Sequence, residues 1–221
     1  MYDKLADQIE EKSRGKLYTT YWFPTIIYAF DIKDFKNLNK KWINDILDWK
    51  KKDQIGVLKS NTGGWHSKTN MHIQDKYKNM TDQVIKIAYE LHNKMSLHQS
   101  VKPLINDMWA NVSQYASYNR HHTHPGTHIS FVYYLQCPEK CGRICFTDPR
   151  AQALAVELPF DPQFSRKEEF LNSVYFEPIP GRFLFFPSWL THEVEANLSD
   201  LKKEKGYRIS VSGNITFSVK K

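Results

Sequence analysis

Hydrophobic and polar positions alternate with two different periods along the 221-residue chain. In the N-terminal part, apolar residues recur every three or four positions, which is the period of an α-helix with one buried face. Such stripes predict helices from Asp34 to Lys51 and from Thr81 to His98. Between them, the glycine-containing stretch SNTGGWHS (60–67) predicts a loop. The earlier stretch YWFPTIIYAF (21–30) predicts a strand, and its proline places that strand at a sheet edge or a bulge.

From about Asn106 onwards, short stretches rich in β-branched and aromatic residues replace the helical pattern. They are separated by Pro, Gly, Asp or Asn, and they read WANVSQYASY, HISFVYYLQC, GRICFTD, VYFEPIP, GRFLFFPSW, HEVEAN and GYRISVSGNITFSV. Strands at this spacing predict a sandwich or a jelly-roll barrel. We therefore expect one α+β, mainly β domain over 1–221. In it, 1–105 form a mostly helical support region that packs on one face of a jelly-roll core formed by 106–221.

The last of these stretches separates polar from apolar residues by period two. Polar side chains occupy one face (Arg208, Ser210, Ser212, Asn214 and Thr216), and apolar ones the other (Ile209, Val211, Ile215 and Phe217). Successive side chains of a strand point to opposite faces, so the polar face carries an arginine. From the period alone, this face either lies in outside water or lines a wet cavity.

Composition and charge narrow the class of protein. No run approaches 18 consecutive apolar residues, so we expect no membrane span. The N-terminal MYDKLADQIEEKSRGK lacks the apolar core of a signal peptide, so the cytoplasm is the expected location. The net charge of +7 is spread over several segments. No helix-turn-helix, zinc-finger or RNP pattern is present, so nucleic acid is not an expected partner. The three cysteines are expected to be free thiols.

Candidate chemistry is concentrated in the histidines, four of which fall within 121–128. On a strand, His122 and His124 point to the same side and offer two neighbouring ligands, whereas His121 points to the other side. His128 follows a Pro-Gly turn that resets its direction. A divalent transition metal takes imidazoles, often with a carboxylate, from different strands. His192, which is bracketed by bulky apolar residues, is the favoured distal ligand.

The order H-x-H, distal histidine, then an arginine sixteen residues later on a polar strand face resembles that of the iron(II)/2-oxoglutarate oxygenases. More closely, the chain looks like a phage-associated 2-oxoglutarate/Fe(II) oxygenase family of double-stranded β-helix proteins. The matching stretches are SNTGGWHS, WANVS, HTHPGTHISFVYYL, GRICFTDPR, PGRFLFFPSWLTHEVEAN and YRISVSGNI. This resemblance implies iron(II) and 2-oxoglutarate as cofactors. It also implies O2-dependent hydroxylation of a substrate, with release of succinate and CO2.

The resemblance also implies roles for individual residues. His122 and His192 would bind iron, and Arg208 would bind the distal carboxylate of 2-oxoglutarate. Ser210 would be a second contact to that carboxylate. Tyr134 resembles the tyrosine that prolyl-hydroxylase-like relatives use for the same group. Asn119 is an expected lining residue. Aromatic walls are expected from Trp189, Trp109 and Phe185, with plain core packing as the favoured role of Phe185.

One position departs from the wider superfamily, which has Asp or Glu where this chain has His124. A 2-His-1-carboxylate set is the usual signature of non-haem iron sites. Three outcomes are open: His124 is itself the third ligand, the site uses two protein ligands and water, or a carboxylate approaches from elsewhere. We favour His124. Asp148, at a strand end, is the better spare carboxylate, because Glu193 adjoins His192 on a strand and should face away.

Two other classes of protein remain as alternatives. The first is a cupin-type metal protein or a dioxygenase that uses no 2-oxoglutarate, neither of which needs an arginine placed for a dicarboxylate. The second is a catalytically inactive structural or interaction module of a phage particle. The resemblance to prolyl-hydroxylase-like enzymes favours a protein side chain such as proline as the substrate. If the chain is phage-encoded, its cytoplasm is that of an infected host cell.

Overall fold

The computed structural model describes Tyr18, 20–155, 158–161, Gln163 and 170–219. The stretch on which the signal-peptide prediction rests lies outside these residues. Within them, the strands form two antiparallel sheets of six and five strands. The predicted fold class, mainly β with helices packed on one face, is confirmed.

The six-stranded sheet contains β1 (Tyr28–Asp31), β3 (Trp65–His66), β4 (Val101–Ser113), β6 (Ile129–Gln136), β9 (Arg182–Pro187) and β11 (Arg208–Val219). Its strand order is β1-β9-β6-β11-β4-β3. The five-stranded sheet contains β2 (Asn61–Thr62), β5 (Tyr118–His122), β7 (Ile144–Thr147), β8 (Ser173–Phe176) and β10 (His192–Val194). Its strand order is β2-β5-β10-β7-β8.

The described helices are α1 (Phe35–Lys52), α2 (Lys78–Lys94) and the short α3 (Ala151–Ala155). Short 3-10 turns occupy Met71–Ile73, Asp75–Tyr77 and Lys203–Gly206. Both predicted helices are present. The second ends earlier than its apolar stripe suggested, because Ser96 adopts a left-handed backbone conformation with φ of 53° that no helix continues through.

Period-two alternation gives the six-stranded sheet two different apolar faces. One face packs on α1 and α2 in a core that includes Trp42, Ile46, Val84, Leu91, Phe131, Tyr133, Phe185 and Val211. The opposite face contributes Val132, Tyr134, Leu184 and Phe186, which pack with Ile144, Phe146 and Leu190 from the other sheet and its connections. The helices therefore cover the outside of this sheet and leave its inner face to the space between the sheets.

The predicted strand WANVSQYASY is divided into β4 and β5 by a tight turn. In this turn, Ala116 has φ of 63°, and the Ser117 N–H donates to the Gln114 carbonyl at 3.0 Å. The chain leaves the six-stranded sheet at this turn and enters the five-stranded one. As a result, the histidine-bearing β5 lies in the sheet opposite the arginine-bearing β11.

Candidate active site

Three imidazoles converge between the sheets. His122 ends β5 and is the cross-strand partner of His192, the first residue of β10. His124 lies two residues beyond the end of β5, where its backbone N–H donates to the Ser188 carbonyl at 2.8 Å. One ligand atom from each of these three side chains lies within 4.8 Å of the others. Strand pairing places two of the imidazoles, and backbone hydrogen bonds of His124 with Ser188 and Thr127 help place the third.

The protonation states of these imidazoles suit a metal. Burial is the largest cause that lowers the pKa of each one, to about 4 for His124 and to about 3 for His192. Nδ1 of His122 donates to the Arg120 carbonyl at 2.7 Å, and Nδ1 of His192 donates to the Leu190 carbonyl at 2.9 Å. These bonds place the ring lone pair on Nε2 in both residues, which is how metal-binding imidazoles are commonly held. The three residues therefore fit a divalent transition metal such as iron(II).

The neighbouring histidines are directed elsewhere. His121 lies 3.5 Å from a carboxylate oxygen of Glu193, and both side chains are partly exposed. Nδ1 of His128 accepts a hydrogen bond from the Phe217 N–H at 3.0 Å, and its ring stacks on that of Phe217. Within the described part of the chain, neither residue joins the three-imidazole cluster.

The two spare carboxylates also lie outside the cluster, as far as the described residues show. Asp148 is held by Arg150, whose Nη2 lies 2.7 Å and whose Nε lies 3.0 Å from its carboxylate oxygens. Glu193 faces His121 on the outer side of β10, as the strand period predicts. Of the three outcomes left open by the sequence, a ligand set of His122, His124 and His192 fits this geometry.

A cavity of about 520 Å³ opens in front of the three imidazoles. Four alternate residues of β11, namely Arg208, Ser210, Ser212 and Asn214, line its wall. The polar face of β11 therefore lines a cavity, while Ile209, Val211 and Ile215 are buried towards the helices. Thr216, which shares the polar face in the sequence, lies beyond the lining and donates to Asn106 Oδ1 at 2.6 Å.

Arg208 is buried at one end of this cavity, with 3% of its surface exposed. Its Nη1 donates to the backbone carbonyls of Cys141, Gly142 (3.1 Å) and Glu195 (3.2 Å). Its Nη2 donates to Ser113 Oγ at 3.3 Å. Gly142 allows this close approach: its φ is +87°, and a Cβ there would lie 2.8 Å from Arg208 Nη1.

No carboxylate among the described residues forms an ion pair with Arg208. The side chain of Glu195 is turned to Arg143, with Nη2 to Oε1 at 2.8 Å. Burial lowers the pKa of the Arg208 guanidinium, but arginine stays protonated in proteins. A buried cation is costly unless it is paired, so this end of the cavity suits an anion.

The other predicted cofactor-binding residues line the same cavity. Ser210 is the cross-strand partner of Tyr134 on β6, so their side chains lie side by side on the inner face. Tyr134 is buried, which raises the pKa of its phenol and keeps it a neutral hydrogen-bond donor. Asn119 on β5 donates to Ser60 Oγ at 3.1 Å. Of the predicted aromatic walls, only Trp109 lines the cavity, because Phe185 packs in the helix-side core and Trp189 is 56% exposed.

Sequence reasoning did not find several lining residues that come from the segment 60–66 around β2 and β3 and from β4. They are Ser60, His66, Asp107, Asn111 and Ser113. Ser60 Oγ lies 3.4 Å from Nε2 of His122, and the ring of His66 stacks on Trp109. Period two along β4 holds a signal, because residues 107, 109, 111 and 113 share one face and pair with the polar face of β11.

Comparison with known proteins agrees with this geometry. Residues 107–214 match the family whose model is described as "Putative 2OG-Fe(II) oxygenase". The matched segment is just under half of the chain, and it runs from β4 into β11 and contains His122, His124, His192 and Arg208. No curated protein sequence matches the chain significantly.

Solved structures show the same fold. A prolyl-4-hydroxylase from Pseudomonas putida superposes with a TM-score of 0.62 at 11% identity, and 98% of each chain is covered. A prolyl hydroxylase from Trichoplax adhaerens, in complex with a hypoxia inducible factor peptide fragment, gives 0.60 at 11% identity, covering 86% of this chain and 83% of that one. The epimerase SnoN, in complex with Fe3+, alpha ketoglutarate and nogalamycin RO, gives 0.61 at 13% identity, covering 87% of this chain and 79% of that one.

On this match, the protein is an oxidoreductase whose cofactors are iron(II) and 2-oxoglutarate. The predicted enzyme class and cofactors are thereby confirmed. Among the described helices, none is both long enough and apolar enough to cross a bilayer.

Proposed function

We propose that this 2OG-Fe(II) oxygenase binds iron through His122, His124 and His192 and hydroxylates a protein side chain, with proline as the favoured one. The observation that carries the proposal is the pairing of two features in one cavity: three neutral imidazoles within 4.8 Å of one another, and a buried arginine with no described carboxylate partner. A cupin-type metal protein or a dioxygenase without 2-oxoglutarate gives no reason for that arginine.

The three imidazoles and Arg208 have different roles in the cavity. Iron(II) with bound 2-oxoglutarate supplies the oxidising chemistry with O2, and succinate and CO2 are released. Arg208 would hold the distal carboxylate of 2-oxoglutarate by charge-assisted hydrogen bonds, which low local polarity strengthens. Ser210 and the neutral phenol of Tyr134 would donate to the same carboxylate. Asn119 would line the site, and its hydrogen bond to Ser60 would position Ser60 beside His122.

The preference for a protein substrate rests on two observations. Prolyl hydroxylases are among the structures that share this fold, and one of them was solved with a peptide fragment. The exposed residues Thr123 and Pro125 also line the cavity, so a peptide can approach it at the loop after β5. The single domain over 1–221, the cytoplasmic location and the phage association stay predictions from the sequence.

Anaerobic titration with iron(II) and then with 2-oxoglutarate tests the proposal. We expect the weak visible charge-transfer band of the iron–2-oxoglutarate pair to appear with the wild-type protein, followed by succinate release once air is admitted. Arg208→Ala should lower the affinity for 2-oxoglutarate. Absence of the band in the wild type, or an unchanged affinity in Arg208→Ala, contradicts the proposal.

The third ligand is tested by the iron content of two variants. His124→Ala should lose iron, whereas Asp148→Ala should retain it, because Asp148 is held by Arg150 away from the imidazoles. The reverse result would assign the ligand to the carboxylate. Tyr134→Phe and Ser210→Ala should each weaken 2-oxoglutarate binding and leave iron binding unchanged.

A further inference from the structure

The cavity has a second charged end that the oxygenase chemistry does not use. Asp107 on β4 lines the same cavity as the three imidazoles and Arg208. In the β4–β11 register, Arg208 pairs with Ser113, and Asn214 pairs with Asp107. Six residues of extended strand separate Ser113 from Asp107, a distance of about 20 Å. One cavity therefore carries a cation at one end and a carboxylate at the other.

Asp107 is held in place but is not neutralised. Its Oδ1 accepts a hydrogen bond from Asn214 Nδ2 at 2.7 Å. Asn214 is itself fixed, because its Oδ1 accepts from Ser130 Oγ at 2.8 Å. No hydrogen bond between described residues uses Asp107 Oδ2, and this atom is not among the described buried polar atoms that lack a partner. Asp107 Oδ2 is therefore accessible from the cavity that the residue lines.

Within the described part of the chain, no cation forms an ion pair with Asp107, since the ion pairs found there involve other carboxylates. Lys59 lines the same cavity with an exposed side chain, and His72 is close enough to act on Asp107 electrostatically. Neither comes within ion-pair distance. A half-buried carboxylate with one amide partner is a poor structural element but a good recognition group for a cation.

The position of Asp107 relative to the imidazoles limits what can reach it. Trp109 lies two residues further along the same face, about 7 Å away, and its ring centroid is 5.7 Å from that of His124. The order along this wall is therefore Arg208, then the level of Trp109 and the imidazoles, then Asp107. A dianionic 2-oxoglutarate is attracted to the first end and repelled from the last. The acidic end remains for the substrate to be oxidised.

We infer that Asp107, positioned by Asn214, binds a cationic nitrogen of the primary substrate: the ammonium or guanidinium of a lysine or arginine side chain in a peptide. The inference rests on the proposed function and adds a substrate class to it. Asp107 is a specificity-determining residue: the lysine or arginine that it binds neighbours the oxidised side chain in the peptide, and the oxidised side chain lies at the level of the imidazoles, between Asp107 and the bound 2-oxoglutarate.

A matched pair of ligands tests the inference: Nα-acetyl-L-lysine amide and its uncharged analogue Nα-acetyl-L-norleucine amide. Binding is measured by calorimetry, both on the anaerobic protein loaded with iron(II) and 2-oxoglutarate and on the metal-free protein. We expect the lysine ligand to bind wild-type protein at least about tenfold more tightly than the norleucine ligand, because a charge-assisted hydrogen bond is lost in the latter. Equal or undetectable binding of the two ligands to wild-type protein overturns the inference.

Three variants separate recognition from folding. Asp107→Asn keeps the shape and the contact with Asn214, and it should abolish the preference for the lysine ligand. Asp200→Asn, which removes the same charge from a surface ion pair with Lys140, should not. Lys59→Met should leave the preference intact or strengthen it. Loss of the preference in Lys59→Met, or its survival in Asp107→Asn, contradicts the inference.

The charge-transfer band distinguishes failure of this inference from failure of the proposed function. If wild-type protein and Asp107→Asn both form the band and release succinate, the oxygenase function stands, whatever the ligand pair shows. If the band does not form, the proposed function fails, while the metal-free calorimetry still reports on Asp107.

Discussion

The two sheets contribute different chemistry to one cavity. The six-stranded sheet supplies anchoring groups from its two longest strands, β4 and β11, which are paired from Arg208 to Val219. The five-stranded sheet supplies imidazoles from β5 and β10, strands of five and three residues whose pairing is interrupted by a register shift. A long ladder fixes charged groups at defined spacings, whereas short strand ends let imidazoles from different segments converge on one point.

The largest expected effect comes from removing an imidazole of the five-stranded sheet. His192→Ala should weaken iron(II) binding by more than about 100-fold, since even partners of metal ligands are worth 10 to 100-fold. Succinate release should be lost with it. Anaerobic iron titration measures the first effect. His121→Ala is the matched control, because His121 faces Glu193 on the outer side. If His192→Ala bound iron(II) as tightly as the wild type, the proposal that His192 of the five-stranded sheet is a metal ligand would be contradicted.

The next largest effect should distinguish the contribution of the six-stranded sheet to ligand binding from that of the five-stranded sheet. Arg208→Met is expected to weaken 2-oxoglutarate binding by about 30-fold or more, as for loss of one partner of a buried charge pair. Iron(II) affinity should stay close to the wild-type value, because the imidazoles belong to the other sheet. Calorimetry with each ligand measures both. Arg150→Met, which removes an exposed arginine paired with Asp148, should change neither affinity.

A smaller effect is expected from changing the backbone that surrounds the Arg208 guanidinium. In Gly142→Ala, the new Cβ would lie 2.3 Å from the Glu195 carbonyl oxygen and 2.8 Å from Arg208 Nη1. We expect a stability loss of about 1–3 kcal/mol, as is typical of a strained backbone position, together with weaker 2-oxoglutarate binding. Gly126→Ala is the control, since its φ is also positive (85°) but its Cβ would meet nothing within 4 Å. Equal 2-oxoglutarate affinities in the two variants would show that a side chain at position 142 does not disturb Arg208.

The smallest effect concerns Asp107 and the pH dependence of stability. Burial is the largest cause that raises the pKa of Asp107 above its ordinary value of 3.8. Between the ordinary pKa of 3.8, which applies to the unfolded state, and the raised pKa of the native state, the native state binds more protons than the unfolded state. Stability therefore falls as the pH rises through this window. Asp107→Asn should therefore melt at a higher temperature than wild type at pH 7. The difference should vanish below pH 3.8. A lower melting temperature for Asp107→Asn at pH 7 would indicate that the carboxylate stabilises the fold.

Local pattern predicted the parts of the site that one segment contains. Period two in 208–217 separated the face of Arg208 and Ser210 from the face of Ile209, and it placed His122 and His124 on one side. The three-and-four spacing predicted α1 and α2. The same logic applied to β4 would have placed Asp107 on the face that pairs with β11. That signal was weaker, because the alternation along β4 is not cleanly polar and apolar.

Contacts between distant segments could not be predicted in this way. Arg208 is held by the backbone carbonyl groups of Cys141, Gly142 and Glu195. Every residue has a backbone carbonyl, so the sequence gives no sign of these contacts. Ser60 reaches His122 only because β2 pairs with β5. The resemblance predicted Trp189 as a wall of the site, but Trp189 lies in the turn before β10 and is exposed.

By itself, the sequence determined the kind of strands and helices, the two faces of β11, and the histidines and arginine that could form a site. These properties follow from side-chain period and residue chemistry within single segments. Tertiary structure alone decided which groups meet: His192 against His122, Arg208 against its carbonyl groups, and Asp107 at the far end of the same wall. Strand register and the crossover between sheets decide these meetings, because each joins residues far apart in the chain through backbone hydrogen bonds that any sequence can make.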